Sequence, residues 1–255
     1  MQASQTIHIR QDASERAHTD YRQSHLLKGD EYDSRLAADP FDAYMADWER
    51  DLLETLVPQL FPSGVPRYLD FACGTGRVSQ TVASHSRVAV GVDISETMLV
   101  QARNRCPQMF FLRADLTRED PDLGHFDLIT AFRFFGNAQD ELRASALKAI
   151  HRLLRDDGHF VFNNHRNPFT ALSMAERLTG GDPGMDLTHA KLQRLLHDAG
   201  FRIVSSRGMG AWRFHHRLTR PPMLRSRIGA ALDRAVSGRL FVPLSLDAVI
   251  VARKR

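Results

Sequence analysis

The spacing of apolar residues changes near residue 62, and that change divides the chain. Residues 1–20 show neither helical nor strand periodicity and read as a flexible arm. From Asp39-Pro40 onward, Phe41, Tyr44, Met45, Trp48, Leu52, Leu53 and Leu56 recur at three- and four-residue spacing. Acids stand in the first turns and Pro58 near the end, so the pattern predicts one amphipathic helix. FPSGVP (61–66) reads as a loop, and beyond it short apolar runs alternate with helical stretches. The runs RYLDFA (67–72), RVAVGVD (87–93), MFFLRA (109–114), FDLITAF (126–132), HFVFNN (159–164) and FRIVSS (201–206) predict strands, with a last strand in LSLDAVIVARKR (244–255). Helical spacing fills 77–86, 95–105, 139–158 and 188–200, the last two closed by Gly158 and Gly200. Ser95 heads the second of these as an imperfect capping box, since Met98 stands where Glu or Gln completes it.

Continuous apolar strands separated by helices predict a parallel sheet covered on both faces, in a doubly wound α/β domain. Ligands in such sheets bind beyond the carboxyl ends of the strands, near the point where strand order reverses. No internal repeat or low-complexity tract interrupts the pattern. Residues 211–243 form a basic insertion before the last strand, with Pro221-Pro222 and a helical stretch at 223–236.

Composition narrows the class. With 255 residues, 43% hydrophobic and 25% charged, the chain can build one large core and is not disordered. Cys73 and Cys106 are too few for a disulfide framework, which fits a reducing compartment. No apolar run approaches the ~18 residues of a membrane span, and the first residues are polar where a signal peptide is apolar. A cytoplasmic protein is the expectation. The net charge of +4 conceals an asymmetry: residues 1–54 hold 12 acids against 6 bases, and residues 201–255 hold 12 bases against Asp233 and Asp247. The basic end either meets an anionic partner or faces the acidic end.

The chemistry concentrates in Tyr68-Leu69-Asp70-Phe71-Ala72-Cys73-Gly74-Thr75-Gly76-Arg77, where a strand runs through a glycine turn into a helix. The dinucleotide fingerprint needs a third glycine, and Ser79 occupies that place. Asp70, just before the turn, would repel a pyrophosphate and attract a cation such as an α-ammonium group. Asp93 ends the next strand, where an acid accepts hydrogen bonds from two ribose hydroxyls. Asp115 follows the third strand and can accept from an adenine amino group, or serve as a plain loop acid. Three acids at three successive strand ends describe a cationic nucleoside without phosphates.

In this order and spacing, DFACGTGR, VGVDIS, RADL and FDLITAF resemble the motifs of the class I S-adenosylmethionine-dependent methyltransferases. The resemblance spans roughly residues 41–210, and DAVIVARK is similar to the family's last strand. It implies a Rossmann-like, doubly wound, mostly parallel seven-stranded sheet of order 3-2-1-4-5-7-6. The arm and lid would be residues 1–40, and the binding domain residues 41–255. It also implies S-adenosylmethionine as methyl donor and S-adenosylhomocysteine as product. On this resemblance Asp70, Ala72 and the Gly74–Gly76 backbone hold the methionine end, with Ala131 bordering it. Asp93 grips the ribose, Ile94 and Met98 sandwich adenine unless Met98 is ordinary core, and Asp115 with the Leu116 backbone reads its edge. Tyr21 and Tyr32 would cover the sulfonium as part of an N-terminal helical lid, or simply pack a helical arm.

The acceptor is narrowed by what is missing. Ala131-Phe132-Arg133-Phe134-Phe135-Gly136-Asn137 lacks the Asn/Asp-Pro-Pro-aromatic tetrad of amino-methylating enzymes, the Pro-Cys of cytosine enzymes and an acid that would begin a catechol-type metal site. His215-His216 and the other histidines lack zinc spacing. A metal-free enzyme acting on oxygen or nitrogen of a small, anionic, glycan or carrier-bound acceptor is the expectation. His165, among Asn163, Asn164 and Arg166 after the fifth strand, is the candidate base, its alternative being a loop hydrogen bond. Arg133 would pair with an acceptor carboxylate or phosphate, or structurally with Asp127 or Asp140. Two other readings stay open: an RNA methyltransferase using the nine arginines and Trp212 of 202–239, and a non-catalytic donor-binding module. An NAD-dependent reductase stands further off.

Overall fold

The computed structural model describes residues 21–22, 33–34, 37–38, 40–165, 167, 187–210, 231, 234–235, 242 and 245–255. Helix α1 (Pro40–Leu60) leads into β1 (Val65–Phe71), α2 (Arg77–Ala83), β2 (Ser86–Asp93), α3 (Glu96–Arg105), β3 (Phe110–Arg113) and β4 (Phe126–Ala131). The second half runs α4 (Asp140–Leu153), β5 (Leu154–Asn164), α5 (His189–Asp198), β6 (Phe201–Met209) and β7 (Asp247–Lys254).

The strands form one seven-stranded sheet of order β3-β2-β1-β4-β5-β7-β6. Strands β1 to β5 pair in parallel, and β7 lies antiparallel to both β5 and β6. Alternate residues of each central strand feed two cores, which is why the runs are apolar throughout. Leu69 and Phe71, Phe160 and Phe162, and Ala248 and Ile250 pack toward α4 and α5. Tyr68, Leu128, Val161, Val249 and Val251 pack toward α1, α2 and α3. An edge-rich aromatic cluster thickens the first core, with Phe160 stacked on Phe162 at 4.3 Å and Phe135 set 5.2 Å from Phe162.

One boundary differs from the sequence reading. The helix expected to run to Gly158 stops at Leu153, and Leu154 already sits beside Phe126 in the sheet. The next register pair is Leu128 with His159, so residues 155–158 form a bulge. Leu154 is buried in the sheet beside Phe126, and Arg155 turns to Asp127 at 3.6 Å. Gly158 is therefore a bulge glycine inside β5, not a helix stop.

Chain order reverses at β1: β2 and β3 lie on one side of it and β4 on the other. The crevice this opens at the carboxyl ends of the strands is where the candidate residues gather.

Candidate active site

At the end of β1, Asp70 lies in register with Thr130 of β4 and Gly91 of β2. Its carboxylate is only 2% exposed. Ser79 Oγ donates to Oδ2 at 2.5 Å and Thr130 Oγ to Oδ1 at 2.7 Å. Thr130 has spent its proton, so Tyr68 OH donates to it at 2.7 Å. Burial raises the Asp70 pKa to about 6, against these donors and the nearby Arg77. Ser79, standing where a dinucleotide fold has glycine, thus belongs to the support of this acid.

The chain then turns through left-handed backbone at Ala72 (φ 57), Gly74 (φ 55) and Gly76 (φ 77). The two glycines serve different ends. A Cβ at Gly74 would have no heavy atom within 4 Å, so the turn opens onto a cavity there. A Cβ at Gly76 would meet Ala102 of α3 at 3.1 Å, so that glycine lets two helices approach. Arg105 of α3 braces the turn by donating to the Thr75 carbonyl at 2.7 Å, and Thr75 Oγ donates to Asp33 at 2.8 Å.

Asp93, at the end of β2, joins the neighbouring segments. Its Oδ2 accepts the Gly74 N–H at 2.8 Å and its Oδ1 the Ser95 N–H at 2.9 Å. Burial raises its pKa, and those backbone donors oppose the rise. Ser95 caps α3 by accepting from the Met98 N–H at 3.4 Å, which turns the Met98 side chain into the cavity wall with Ile94, Ala114 and Leu116. Beyond β3, burial works against ionisation of Asp115, but hydrogen bonds from Thr117 and the charge of Arg22 outweigh it and lower its pKa. Arg22 Nε donates to Asp115 Oδ2 at 2.8 Å and its Nη2 to Thr117 Oγ at 2.7 Å.

The opposite wall is the turn after β4. Arg133 is held in the left-handed region (φ 56), an uncommon conformation for a side chain of this size. Its N–H donates to Asn163 Oδ1 at 2.6 Å, and its carbonyl accepts from Asn137 Nδ2 at 2.6 Å and Tyr21 OH at 3.2 Å. Asn163 in turn donates to Glu49 at 2.7 Å, and Glu49, fully buried on α1, pairs with Arg77 at 2.6 Å. Strain over-determined in this way marks a functional wall.

The charges of the cavity are unequal in their partners. Each arginine lining it meets an acid: Arg22 with Asp115 at 2.8 Å, Arg77 with Glu49 at 2.6 Å and Arg133 with Asp42 at 3.4 Å. Among the described residues, neither Asp70 nor Asp93 has an ion pair. Two buried carboxylates met by neutral donors, beside an open glycine turn and an apolar slot, suit a positively charged nucleoside.

The sequence-predicted residues fall into three groups. Asp70, Ala72, Gly74, Asp93, Ile94, Met98, Asp115, Leu116, Arg133 and Tyr21 all line this cavity. Gly76 and Ala131 do not; the first packs on α3 and the second is wholly buried in the sheet. His165 is also off the described wall, close behind Gly136, whose Cβ would come within 2.7 Å of the His165 carbonyl oxygen. It is buried, with Nδ1 3.2 Å from Asp247 Oδ2 at the start of β7. Tyr32, Arg166 and most of the basic insertion at 211–243 lie outside the described residues. Sequence reasoning missed Glu49 and Arg22. Glu49 carried a signal, being an acid inside the apolar stripe of α1; Arg22 carried none.

The methyltransferase domain family model matches residues 69–158. Thiocyanate methyltransferase 1 of Arabidopsis thaliana is 31% identical over 168 residues, covering 62% of this chain and 69% of that one. The ubiquinone biosynthesis O-methyltransferase of Coxiella burnetii is 28% identical over 107 residues, 40% of this chain and 45% of its own. The chain spans about half the length of the curated relatives it matches in Geobacillus and Bacillus. Among solved structures, magnesium protoporphyrin IX methyltransferase of Synechocystis PCC 6803 with bound SAH superposes with a TM-score of 0.62. That match covers 96% of this chain and 100% of the other at 17% identity, so it is a likeness of fold. No helix among the described residues is long and apolar enough to cross a membrane.

Proposed function

Because the chain belongs to the S-adenosylmethionine-dependent methyltransferase family, we propose that it transfers the donor's methyl group to an oxygen or nitrogen of a small, anionic acceptor. The observation that carries the donor side is the pair of un-ion-paired acids, Asp70 and Asp93, flanking the open backbone of Gly74. Bound there, S-adenosylmethionine would supply a sulfonium methyl that an acceptor lone pair attacks, the S–CH3 bond breaking to leave neutral S-adenosylhomocysteine while the acceptor gives up a proton.

Asp93 holds the ribose hydroxyls with the lone pairs left after its two backbone contacts. Ile94, Met98 and Leu116 enclose the adenine by apolar contact, and Asp115 borders its edge. Gly74 lets the backbone approach the methionine end, and buried Asp70 attracts the α-ammonium. On the acceptor side, Arg133 lines the cavity wall while meeting Asp42 at 3.4 Å, and its planar fork suits a carboxylate or phosphate that competes with that acid. The Arabidopsis relative is named for thiocyanate, itself an anion, which supports an anionic acceptor. His165 is buried off the cavity wall with Nδ1 3.2 Å from Asp247, so in this reading the acceptor's proton passes to solvent. Alignment of acceptor, methyl and sulfur contributes ~7–11 kcal/mol by proximity, so these groups position more than they activate.

Calorimetry with S-adenosylmethionine, followed by mass spectrometry of a panel of hydroxyl and amine acceptors with and without a carboxylate, tests the reading. Donor binding with methylation of the anionic members is expected. A chain that binds no donor, or methylates only cationic acceptors, refutes it.

A further inference from the structure

The methionine end of the donor is a zwitterion, and Asp70 and Asp93 suit only part of it. They attract the ammonium and the sulfonium, and they repel the α-carboxylate. Away from bulk water that carboxylate needs a cation or N–H donors. Three arginines line the cavity. Arg22 stands at the adenine rim on Asp115 and Thr117, and Arg133 stands on the opposite wall after β4. Arg77 follows Gly76 directly, in the same turn that brings the Gly74 backbone to the methionine end.

Arg77 is held from behind. Its Nη2 donates to Glu49 Oε2 at 2.6 Å, and the other oxygen of this fully buried acid accepts from Asn163 Nδ2 at 2.7 Å. Among the described residues Glu49 is the only hydrogen-bond partner of the Arg77 guanidinium. A guanidinium carries five N–H donors in a rigid fork, so one bond to Glu49 leaves donors for a carboxylate. The side chain keeps 22% of its surface exposed and lines the cavity. Burial raises the Asp70 pKa, and after the hydrogen bonds of Ser79, Thr130 and Tyr68 the charge of Arg77 opposes that rise, so the two groups stand within electrostatic reach. Asp70 and Arg77 thus offer opposite charges to the two ends of one amino acid. We propose that Arg77 is a donor-binding residue that takes the α-carboxylate of the methionine end, and that buried Glu49 is a positioning residue that holds its guanidinium in place. This rests on the donor reading above and adds to it a partner for the carboxylate.

The test is calorimetry on the full chain with two ligands, S-adenosylhomocysteine and its decarboxylated analogue, which lacks only the carboxylate. The wild type is expected to bind the analogue about tenfold to a hundredfold more weakly, the loss of one charged hydrogen bond. In Arg77→Gln that ratio should collapse toward one, because S-adenosylhomocysteine alone loses affinity. Glu49→Gln should lower the ratio several-fold in the wild-type background and leave it unchanged in Arg77→Gln. The ratio compares two ligands on one variant, so a lowered melting temperature does not imitate the effect. If Arg77→Gln does not fold, Arg77→Met, which keeps the aliphatic stem, is expected to give the same collapse. A wild-type chain that binds both ligands alike overturns the proposal, as does an Arg77 variant that keeps the wild-type ratio or weakens both ligands equally. A wild-type ratio in Glu49→Gln overturns the positioning part. If the wild type binds neither ligand, the donor reading itself falls, which is a different result from any of these.

Discussion

The Oδ2 of Asp93 lies 2.8 Å from the backbone nitrogen of Gly74, so the acid at the end of β2 and the turn at the end of β1 are one structural unit. The donated N–H fixes the carboxylate's orientation, and the carboxylate fixes the turn's left-handed backbone. Removing the acid therefore affects both. Asp93→Ala is expected to weaken S-adenosylmethionine binding by about 3 kcal/mol or more, roughly a hundredfold in Kd, because hydrogen bonds to a charged acceptor contribute about 1.5–3 kcal/mol each. Calorimetry reads the loss directly. Unchanged affinity would show that the ribose is held elsewhere.

The two glycines of the turn give opposite predictions from the same substitution. Gly74→Ala places a methyl in open space, so melting should change little beyond the ~1 kcal/mol of a strained left-handed residue, while donor affinity falls. Gly76→Ala drives a Cβ against Ala102 at 3.1 Å in addition to the same backbone strain. A loss of about 2–3 kcal/mol in stability is expected there, measurable by urea denaturation.

Buried Asp70 makes donor binding depend on pH. Its pKa in the folded chain, about 6, lies above the ordinary 3.8. A cation binds better to the ionised acid, so affinity should fall as pH drops through about 6. The linkage to folding has the opposite sense: a raised pKa favours the protonated folded form. That contribution is fully present below 3.8 and lost as pH rises through about 6. Asp70→Asn, isosteric and uncharged, should remove both dependences. Calorimetric titrations from pH 5 to pH 8, an interval of roughly the width over which one such group titrates, check the first.

On the acceptor wall, Arg133→Gly is the informative change, since glycine accepts the φ of 56° without strain. Donor affinity should hold while KM for an anionic acceptor rises about tenfold to a hundredfold, the loss of one charged hydrogen bond, and melting should fall because Asp42 loses this partner and a largely buried side chain is removed.

Glu49 also offers a stability test. Glu49→Ala strands Arg77 and the Asn163 amide, whose other end holds the Arg133 backbone. Breaking a buried pair costs about 3–5 kcal/mol, and the partial exposure of Arg77 favours the lower figure. Chemical denaturation should show it, together with reduced acceptor turnover from a loosened Arg133.

Much of this was legible in the chain itself. Apolar runs such as Val90–Val92 and Phe160–Phe162, buried along their length, can be satisfied only between two covering layers, so the parallel sheet followed from composition and period. The acids Asp70 and Asp93 and the glycines between them were visible because a strand end followed by a turn fixes where side chains emerge. Gly158 misled, because a glycine after a helical stretch has the same appearance whether it ends the helix or bulges the strand beyond it; the burial of Leu154 beside Phe126 decides between them.

What tertiary structure alone decided is who meets whom across the chain. Glu49, Arg77, Asn163 and Arg133 come from α1, the glycine turn and the ends of β5 and β4, and no local period relates them. Arg22 reaches Asp115 across 93 positions. Local sequence sets backbone preference and burial, which are properties of a residue and its near neighbours. Ion pairs depend on distances that exist only once the sheet is assembled, so the strands came from the pattern, their order from the family resemblance, and the partners of the charges from the fold.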